Sequence, residues 1–165
     1  MKYRGQSTLI LILIVIMIFL GLGIFLLSFA GSIQKEEYMN TYTNNLLLSL
    51  LRTDTGYQDA SCKQISDLIG CSFSNPNWHC GEAGSGCKEI GENLVDHYIN
   101  KFDDVKNKYN YLLVARVEGR TDTFVVGNES VLENRGDRLT ANEVLLKDIR
   151  GRQYYIKITL ILEKK

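Results

Sequence analysis

The hydrophobic pattern of this chain begins with a long apolar run near the N-terminus. Between residues 9 and 27 the only breaks are Gly21 and Gly23, and no charged residue interrupts the run. A helix needs about 20 apolar residues to cross the hydrocarbon core of a bilayer. We therefore predict a transmembrane helix over residues 6–30. A secretory signal has a shorter apolar region of about 7–15 residues before its cleavage site, so the length favours an anchor that is retained.

The charges on either side of the run predict its orientation. Lys2 and Arg4 precede it, whereas residues 35–37 (Lys-Glu-Glu) follow it with a net charge of −1. Flanking basic residues tend to stay on the cytoplasmic side of a membrane. We therefore expect a single-pass protein of the cell membrane, with a cytoplasmic N-terminus and an extracellular C-terminal domain.

A second pattern continues the helix beyond the apolar run. Apolar residues recur there mostly at three- and four-residue steps, which is one stripe on a helix; they are Ile33, Tyr38, Met39, Tyr42, Leu46, Leu47, Leu50 and Leu51. The stripe predicts an amphipathic extension over residues 31–53 that lies against a folded domain. The simplest interpretation is one helix from about Ser7 to Arg52. A break at Gly31-Ser32, giving two helices, is the alternative.

The period changes again after Asp103, from about 3.6 to 2, which is typical of strands. We predict strands over residues 109–117, 123–127, 142–149 and 154–163. Residues 142–149 could instead form a helix, because Thr140 and Glu143 fit a capping box. Two helices are predicted before the sheet. The first runs from Cys62 to Ile69, because Ser61 and Gln64 fit a capping box with Ser61 as the cap, and the second runs from Cys87 to about Phe102.

These elements predict an α+β fold. A long N-terminal transmembrane and amphipathic helix packs on a small antiparallel sheet of three to four strands, with helices on one face and a cysteine-bridged loop. The chain then has four parts: a basic cytoplasmic leader (1–5), the transmembrane helix (6–30), its amphipathic extension (31–53) and an extracytoplasmic domain (54–165).

The four cysteines add covalent constraints to this domain. They all lie in one short stretch, at Cys62, Cys71, Cys80 and Cys87. An even number of cysteines outside the membrane indicates disulfides, and three pairings are possible. The residues from Gly70 to Cys87 are rich in Gly, Ser and Asn, so we expect a loop held by the bridges. A zinc site that uses His79 or His97 is the competing interpretation, although the spacing lacks the short intervals of structural zinc sites.

Composition and motifs give no sign of catalysis. The 165 residues carry 19 basic and 19 acidic side chains, and this balance gives no reason to expect nucleic-acid binding. Asp54-Thr55-Gly56 matches the triplet of aspartic proteases, but that chemistry needs two such carboxylates. Here the triplet follows a predicted helix, where these residues cap and turn the chain. We predict that the protein is not an enzyme and has no catalytic residue, cofactor or metal. Asn128 begins an N-glycosylation sequon, so it is a candidate site of modification.

The first residues of the chain form a recognisable pattern: Lys2-Tyr3-Arg4-Gly5-Gln6-Ser7 is followed at once by the apolar helix. This start of the chain resembles that of archaeal type IV pilin-like proteins with a class III signal. The resemblance implies that a prepilin-type peptidase cuts between Gly5 and Gln6 and leaves the helix on the mature protein. It also implies the lipid bilayer and other pilin-like subunits as partners of that helix, with a place in a pilus.

One position departs from that family. Its members commonly carry a glutamate five residues into the mature chain, which neutralises a neighbouring subunit's N-terminal amine. The corresponding residue here is Ile10, and no acidic residue occurs before Glu36. An unpaired buried charge is costly, so the departure favours a minor or tip subunit. The alternative function is an uncleaved, membrane-tethered binding or sensor module.

Overall fold

The structure is a computed structural model that describes residues 4–81, 84, 86–133, 137–149 and 152–165, with the backbone alone at 4–9, 29–36, 149 and 152. The elements are α1 (Arg4–Leu51), α2 (Ile65–Ser74), α3 (Cys87–Ile99), α4 (Asp103–Lys108), β1 (Tyr109–Val117), β2 (Thr123–Gly127), the 3₁₀ helix η1 (Glu129–Leu132), β3 (Arg138–Ile149) and β4 (Arg152–Lys164). The chain divides into two compact units, Met1–Met39 and Asn40–Lys165. The α+β class is therefore confirmed.

Helix α1 is continuous from Arg4 to Leu51, so the predicted single helix is confirmed and the break at Gly31-Ser32 is wrong. Its C-terminal turns belong to the second unit. There the apolar stripe is buried from Leu46 onward, and Leu47 and Leu50 are at most 2% exposed. Tyr42, earlier in the predicted stripe, is partly buried against the same core, whereas Tyr38 in the first unit is 69% exposed. A helical stripe is buried only where a second element covers it.

The sheet is antiparallel, with strand order β2-β1-β4-β3. Strand β1 pairs with β4 from Tyr109↔Lys164 to Val117↔Ile156, and β4 pairs in turn with β3. The segment that could have been a helix is therefore a strand. It begins at Arg138, earlier than predicted, because β4 offers backbone partners along its whole length.

Alternate side chains on the strands form the main core. Leu113, Ala115, Ile156, Ile158 and Leu160 are fully buried on the inner face of the sheet, which faces the helices. On the opposite, outer face, η1 covers one half, where Leu112 and Val114 pack against Val131. The prediction that helices cover one face is confirmed; this 3₁₀ cover on the other face was not predicted.

The short helices differ from the sequence prediction at their ends. Helix α2 begins at Ile65 instead of Cys62, because Gln64 is the N-cap and its N–H donates to the Asp67 carboxylate at 3.0 Å. Residues 59–62 form a turn, in which the Asp59 side chain accepts the Ser61 N–H at 2.8 Å. Ser61 is therefore not the cap that the sequence predicted. Helix α2 also runs through Ser74, so the predicted loop from Gly70 is helical at its start.

The end of α3 and the existence of α4 are further corrections. Helix α3 ends at Ile99, and Phe102, placed in it by the sequence, is the N-cap of α4. The α4 turn has Asp103 and Asp104 at its start and lysines at its end, which suits the helix dipole. Its single buried residue, Val105, is too little apolar pattern for periodicity to detect.

Two side-chain contacts tie the helices to the sheet. The Lys147 ammonium on β3 donates to the Asp67 carboxylate on α2 at 2.5 Å. The Tyr111 hydroxyl on β1 donates to the Asp96 carboxylate on α3. Burial first, and then this hydrogen bond, raise the pKa of Tyr111 above its usual value, because both disfavour the phenolate.

Candidate membrane helix and disulfide-stapled surface

The first candidate site is the apolar part of α1. Residues Ile10–Ser28 form a stretch long and apolar enough to cross a membrane, and none of it is buried within the chain. Its large side chains range in exposure from 42% at Val15 to 77% at Leu27. At 1.5 Å per residue, 19 residues extend about 28 Å, close to the thickness of a hydrocarbon core. The absence of any buried residue in this stretch separates it from the core helix of a soluble protein, which is mostly buried. It is therefore a candidate single membrane span.

The predicted processing site lies at the start of the same helix. Gly5 and Gln6 are in the first turns of α1, and their side chains lie outside the described residues. Ile10 is described and is 59% exposed, within a surface that is apolar on every side. Cleavage before Gln6 thus stays a prediction from the resemblance.

The second candidate site is a surface stapled by two disulfides. Cys62 pairs with Cys80 and Cys71 pairs with Cys87, with Cα–Cα distances of 5.9 and 5.8 Å. This is one of the three pairings that the sequence left open. All four cysteines are at most 6% exposed and form a small apolar cluster with Leu68 and Ile90.

The two bridges interleave along the chain: Cys62–Cys80 joins the loop after α2 to the turn before α2, and Cys71–Cys87 joins α2 to α3. Cys71 lies on α2, Cys80 lies in the loop, and Cys87 is the first residue of α3. The loop closes tightly at Gly86, where an added Cβ would lie 2.3 Å from the Pro76 carbonyl oxygen. The Cys87 N–H also donates to the Trp78 carbonyl at 2.9 Å. Backbone and bridges together fix the position of Trp78.

Trp78 and Asp59 form the exposed end of this surface, which we call the stapled tip. Trp78 is 46% exposed, and its indole N–H donates to the Asp59 carboxylate at 3.3 Å. Asp59 also accepts the Ser61 N–H, so its orientation is fixed by two donors. An exposed tryptophan held in one orientation is a frequent anchor in protein interfaces. Its exposure was not predicted from the sequence, which located the loop but not the direction of its side chains.

The competing zinc interpretation can be compared with this geometry. The sulfur atoms of Cys62, Cys80 and Cys87 lie within 4.8 Å of one another. All four cysteines are nevertheless disulfide-bonded, and zinc requires thiolates. Neither histidine belongs to this group, and His97 is exposed on α3 with its ring against Tyr98. With both disulfides formed, this cysteine cluster has a structural role.

The protease-like triplet forms a turn after α1. The Asp54 carboxylate accepts the Gly56 N–H at 2.7 Å, and Gly56 has φ of +82°, which favours glycine. The Thr55 N–H donates to the Lys63 carbonyl at 3.0 Å. Each residue of the triplet therefore contributes to the turn that brings the chain from α1 to α2.

The sequon residue Asn128 is exposed at the start of η1. Its side-chain oxygen accepts the Ser130 N–H at 3.0 Å, and its own N–H donates to the Tyr111 carbonyl at 2.8 Å. Ser130, the third residue of the sequon, is exposed as well. Both sequon side chains are on the surface, and glycosylation of Asn128 stays a prediction.

A third surface was missed by sequence reasoning. Beyond the half of the outer face covered by η1, the sheet has a cavity of about 660 Å³. Arg116, Val144, Tyr155 and Lys157 line it together with Val117, Glu118 and Arg120. We call the first four of these residues the outer groove. The alternation in β1 and β4 placed Arg116, Tyr155 and Lys157 on that face. Only the pairing of the strands brings them side by side.

Comparisons with known proteins add no relationship. A scan against models of known protein families finds no match to this chain, and neither a search of curated proteins nor a search of solved structures finds one. The residues and surfaces described above are therefore the basis for any assignment of function.

Proposed function

We propose that this protein is a membrane-anchored, pilin-like structural or assembly subunit exposed on the cell surface, without catalytic activity. One observation supports it above the others: α1 is a single continuous helix with two different surfaces. From Ile10 to Leu27 its side chains are apolar on all sides and exposed. From Leu46 to Leu51 it is part of a folded core. A helix of this kind serves both as an anchor in lipid and as a structural part of the head.

The processing and partners in this proposal come from the resemblance of the N-terminus. A prepilin-type peptidase would cut between Gly5 and Gln6, and the lipid bilayer and other pilin-like subunits would then surround the apolar helix. In lipid, helices associate through van der Waals contacts and through the few polar groups they carry. Ile10 supplies no carboxylate for a neighbour's N-terminal amine. This favours a minor or tip position over repeated use along a filament.

The head would supply the external contact in this proposal. Its disulfides hold the stapled tip in one orientation, which lowers the entropy that Trp78 loses on binding. Asp54, the one residue with a resemblance to a catalytic group, has its carboxylate engaged in a turn. This supports a non-catalytic role.

Determining the mature N-terminus by mass spectrometry tests the proposal. The full chain is expressed in a host with a prepilin-type peptidase and in one without it, and the membrane fraction is analysed. We expect a chain that starts at Gln6 only where the peptidase is present. Gly5→Leu should prevent the cut, because a bulky residue replaces the small one before the scissile bond; Ser7→Ala is the matched control and should be cut normally.

An intact N-terminus on a membrane-embedded chain in both hosts would refute the pilin-like assignment. It would favour the alternative, an uncleaved single-pass protein that presents a binding or sensor domain. Recovery of a chain that lacks the whole apolar helix would refute both, because neither function survives removal of the anchor.

A further inference from the structure

The uncovered half of the outer sheet face exposes a group of large apolar side chains to water. Val144, Leu146 and Tyr155 are 53, 51 and 59% exposed. They lie together, because Tyr155 is paired with Leu146 and the next pair on the same face is Lys157 with Val144. Clustered apolar side chains on a surface indicate an interaction site, whereas single ones need no explanation.

The charges on this half are unbalanced. Arg116 and Lys157 are exposed and directly opposite each other in the pairing of β1 with β4. Like charges in that position destabilise a sheet. Among the residues that the structure describes, no carboxylate lies within ion-pair distance of either cation. Glu118 and Arg120 also line this cavity, and Arg120 is ion-paired with Asp122. Two cations without an ion-pair partner among the described residues, Arg116 and Lys157, therefore face one carboxylate. The outer groove still suits an occupant with an apolar or aromatic group and a negative charge.

The stapled tip has this chemistry. Trp78 is a large aromatic group that is half exposed, and Asp59 beside it is held by N–H donors alone, with no cation paired to it among the described residues. Arginine and lysine bind the face of an indole ring favourably. The cavity of about 660 Å³ has room for such a side chain, with Tyr155 and Val144 as its apolar walls.

We propose that the outer groove of one copy of this chain receives the stapled tip of a second copy. Trp78 would lie against Tyr155 and Val144, and the Asp59 carboxylate would face Arg116 and Lys157. If each copy supplies both surfaces to the other, a two-fold pair makes the contact twice. The biological purpose of this contact rests on the proposed assembly function. The contact itself does not depend on the residue at position 10.

Photo-crosslinking of the full chain in zwitterionic detergent micelles tests the contact. Tyr155 is replaced by p-benzoylphenylalanine, and ¹⁴N- and ¹⁵N-labelled proteins are mixed before irradiation. We expect crosslinked peptides of mixed isotope content that join position 155 to the segment around Trp78. Mixed isotopes are required because they identify a link between two copies.

Variants then test the chemistry of the contact. Trp78→Ala should weaken self-association at least about 30-fold, measured by sedimentation in the same detergent. Arg116→Glu and Lys157→Glu should each weaken it about tenfold or more, and the wild type should dissociate as salt is raised. Lys106→Glu is the matched control, with the same change of charge on α4, and should associate normally. Intact mass verifies that both disulfides are present in each variant, and a urea unfolding transition like that of the wild type verifies that the variant is folded.

Three results would overturn the inference. The first is a chain that stays monomeric as its concentration rises. The second is a crosslink from position 155 to any segment other than the one around Trp78. The third is a wild type that binds anionic vesicles without self-association, with this binding lost in the Arg116 and Lys157 variants. The last would make a lipid surface the occupant. An unprocessed N-terminus would refute the pilin-like function and leave the crosslink result intact, so the two failures are distinguishable.

Discussion

Removal of either disulfide should destabilise the second unit by a predictable amount. The bridges close loops with sequence separations of 18 (Cys62–Cys80) and 16 (Cys71–Cys87). The chain-entropy relation for loops of this length gives about 3 kcal/mol for each bridge. Replacement by alanine also removes sulfur from a cluster that is at most 6% exposed, which adds about 1 kcal/mol or more. We therefore expect each double alanine variant to lose about 4 kcal/mol, a large part of a domain's stability of about 5–15 kcal/mol.

Urea unfolding of the full chain in detergent measures this loss. Trp78 is the single tryptophan of the chain and lies in the stapled loop, so its fluorescence reports the unfolding of this region. Loss of a cross-link expands the unfolded state, so the dependence of the free energy on urea should become steeper. A control with Lys63→Ala and Asn77→Ala, both exposed in the same part of the chain, should change the unfolding free energy by less than about 0.5 kcal/mol.

A loss below about 1 kcal/mol, with an unchanged urea dependence, would refute this reasoning. It would mean that the bridges do not restrict the unfolded chain as the loop lengths require. Mass spectrometry of a non-reduced digest provides an independent check of the pairing. Peptides that join Cys62 to Cys71, or Cys80 to Cys87, would contradict the disulfide connectivity on which the predicted loss of stability is based.

Three further predictions concern the second unit. Gly127→Ala should destabilise it by more than about 3 kcal/mol in chemical unfolding. The reason is that φ of Gly127 is +105° and the new Cβ would lie 2.3 Å from the Tyr111 carbonyl oxygen. A variant as stable as the wild type would contradict that close approach. Leu50→Ala should lose about 2–5 kcal/mol by the same measurement, whereas Leu20→Ala, on the exposed apolar part of α1, should leave it unchanged. Because its pKa is raised in the folded state, Tyr111 contributes stability below about pH 10 that is lost as the pH rises towards that folded pKa. Tyr111→Phe should flatten this decline between about pH 9 and pH 11, and an equal decline in both proteins would show that another group causes it.

The sequence determined the features that depend on local periodicity. The apolar run, the amphipathic stripe around Leu47 and the alternation in β4 each describe one element and its buried side, because the spacing of apolar residues follows the geometry of a helix or strand. They were sufficient for the α+β class, the continuous helix and the location of the cysteine loop. Element ends were less well determined. At α2 the sequence predicted Ser61 as the cap, whereas the turn that Asp59 forms leaves Gln64 as the cap.

The tertiary structure alone decided which distant residues meet. The cysteine spacing allowed three pairings, and the packing of α2 against α3 selected Cys62 with Cys80 and Cys71 with Cys87. Arg116 and Lys157 are 41 positions apart in the sequence, and only the register of β1 on β4 puts them opposite each other. Pairings of this kind depend on the closure of long loops and on strand register, which a local pattern does not encode. For that reason the candidate membrane helix was evident from the sequence, whereas the outer groove became visible only in the folded domain.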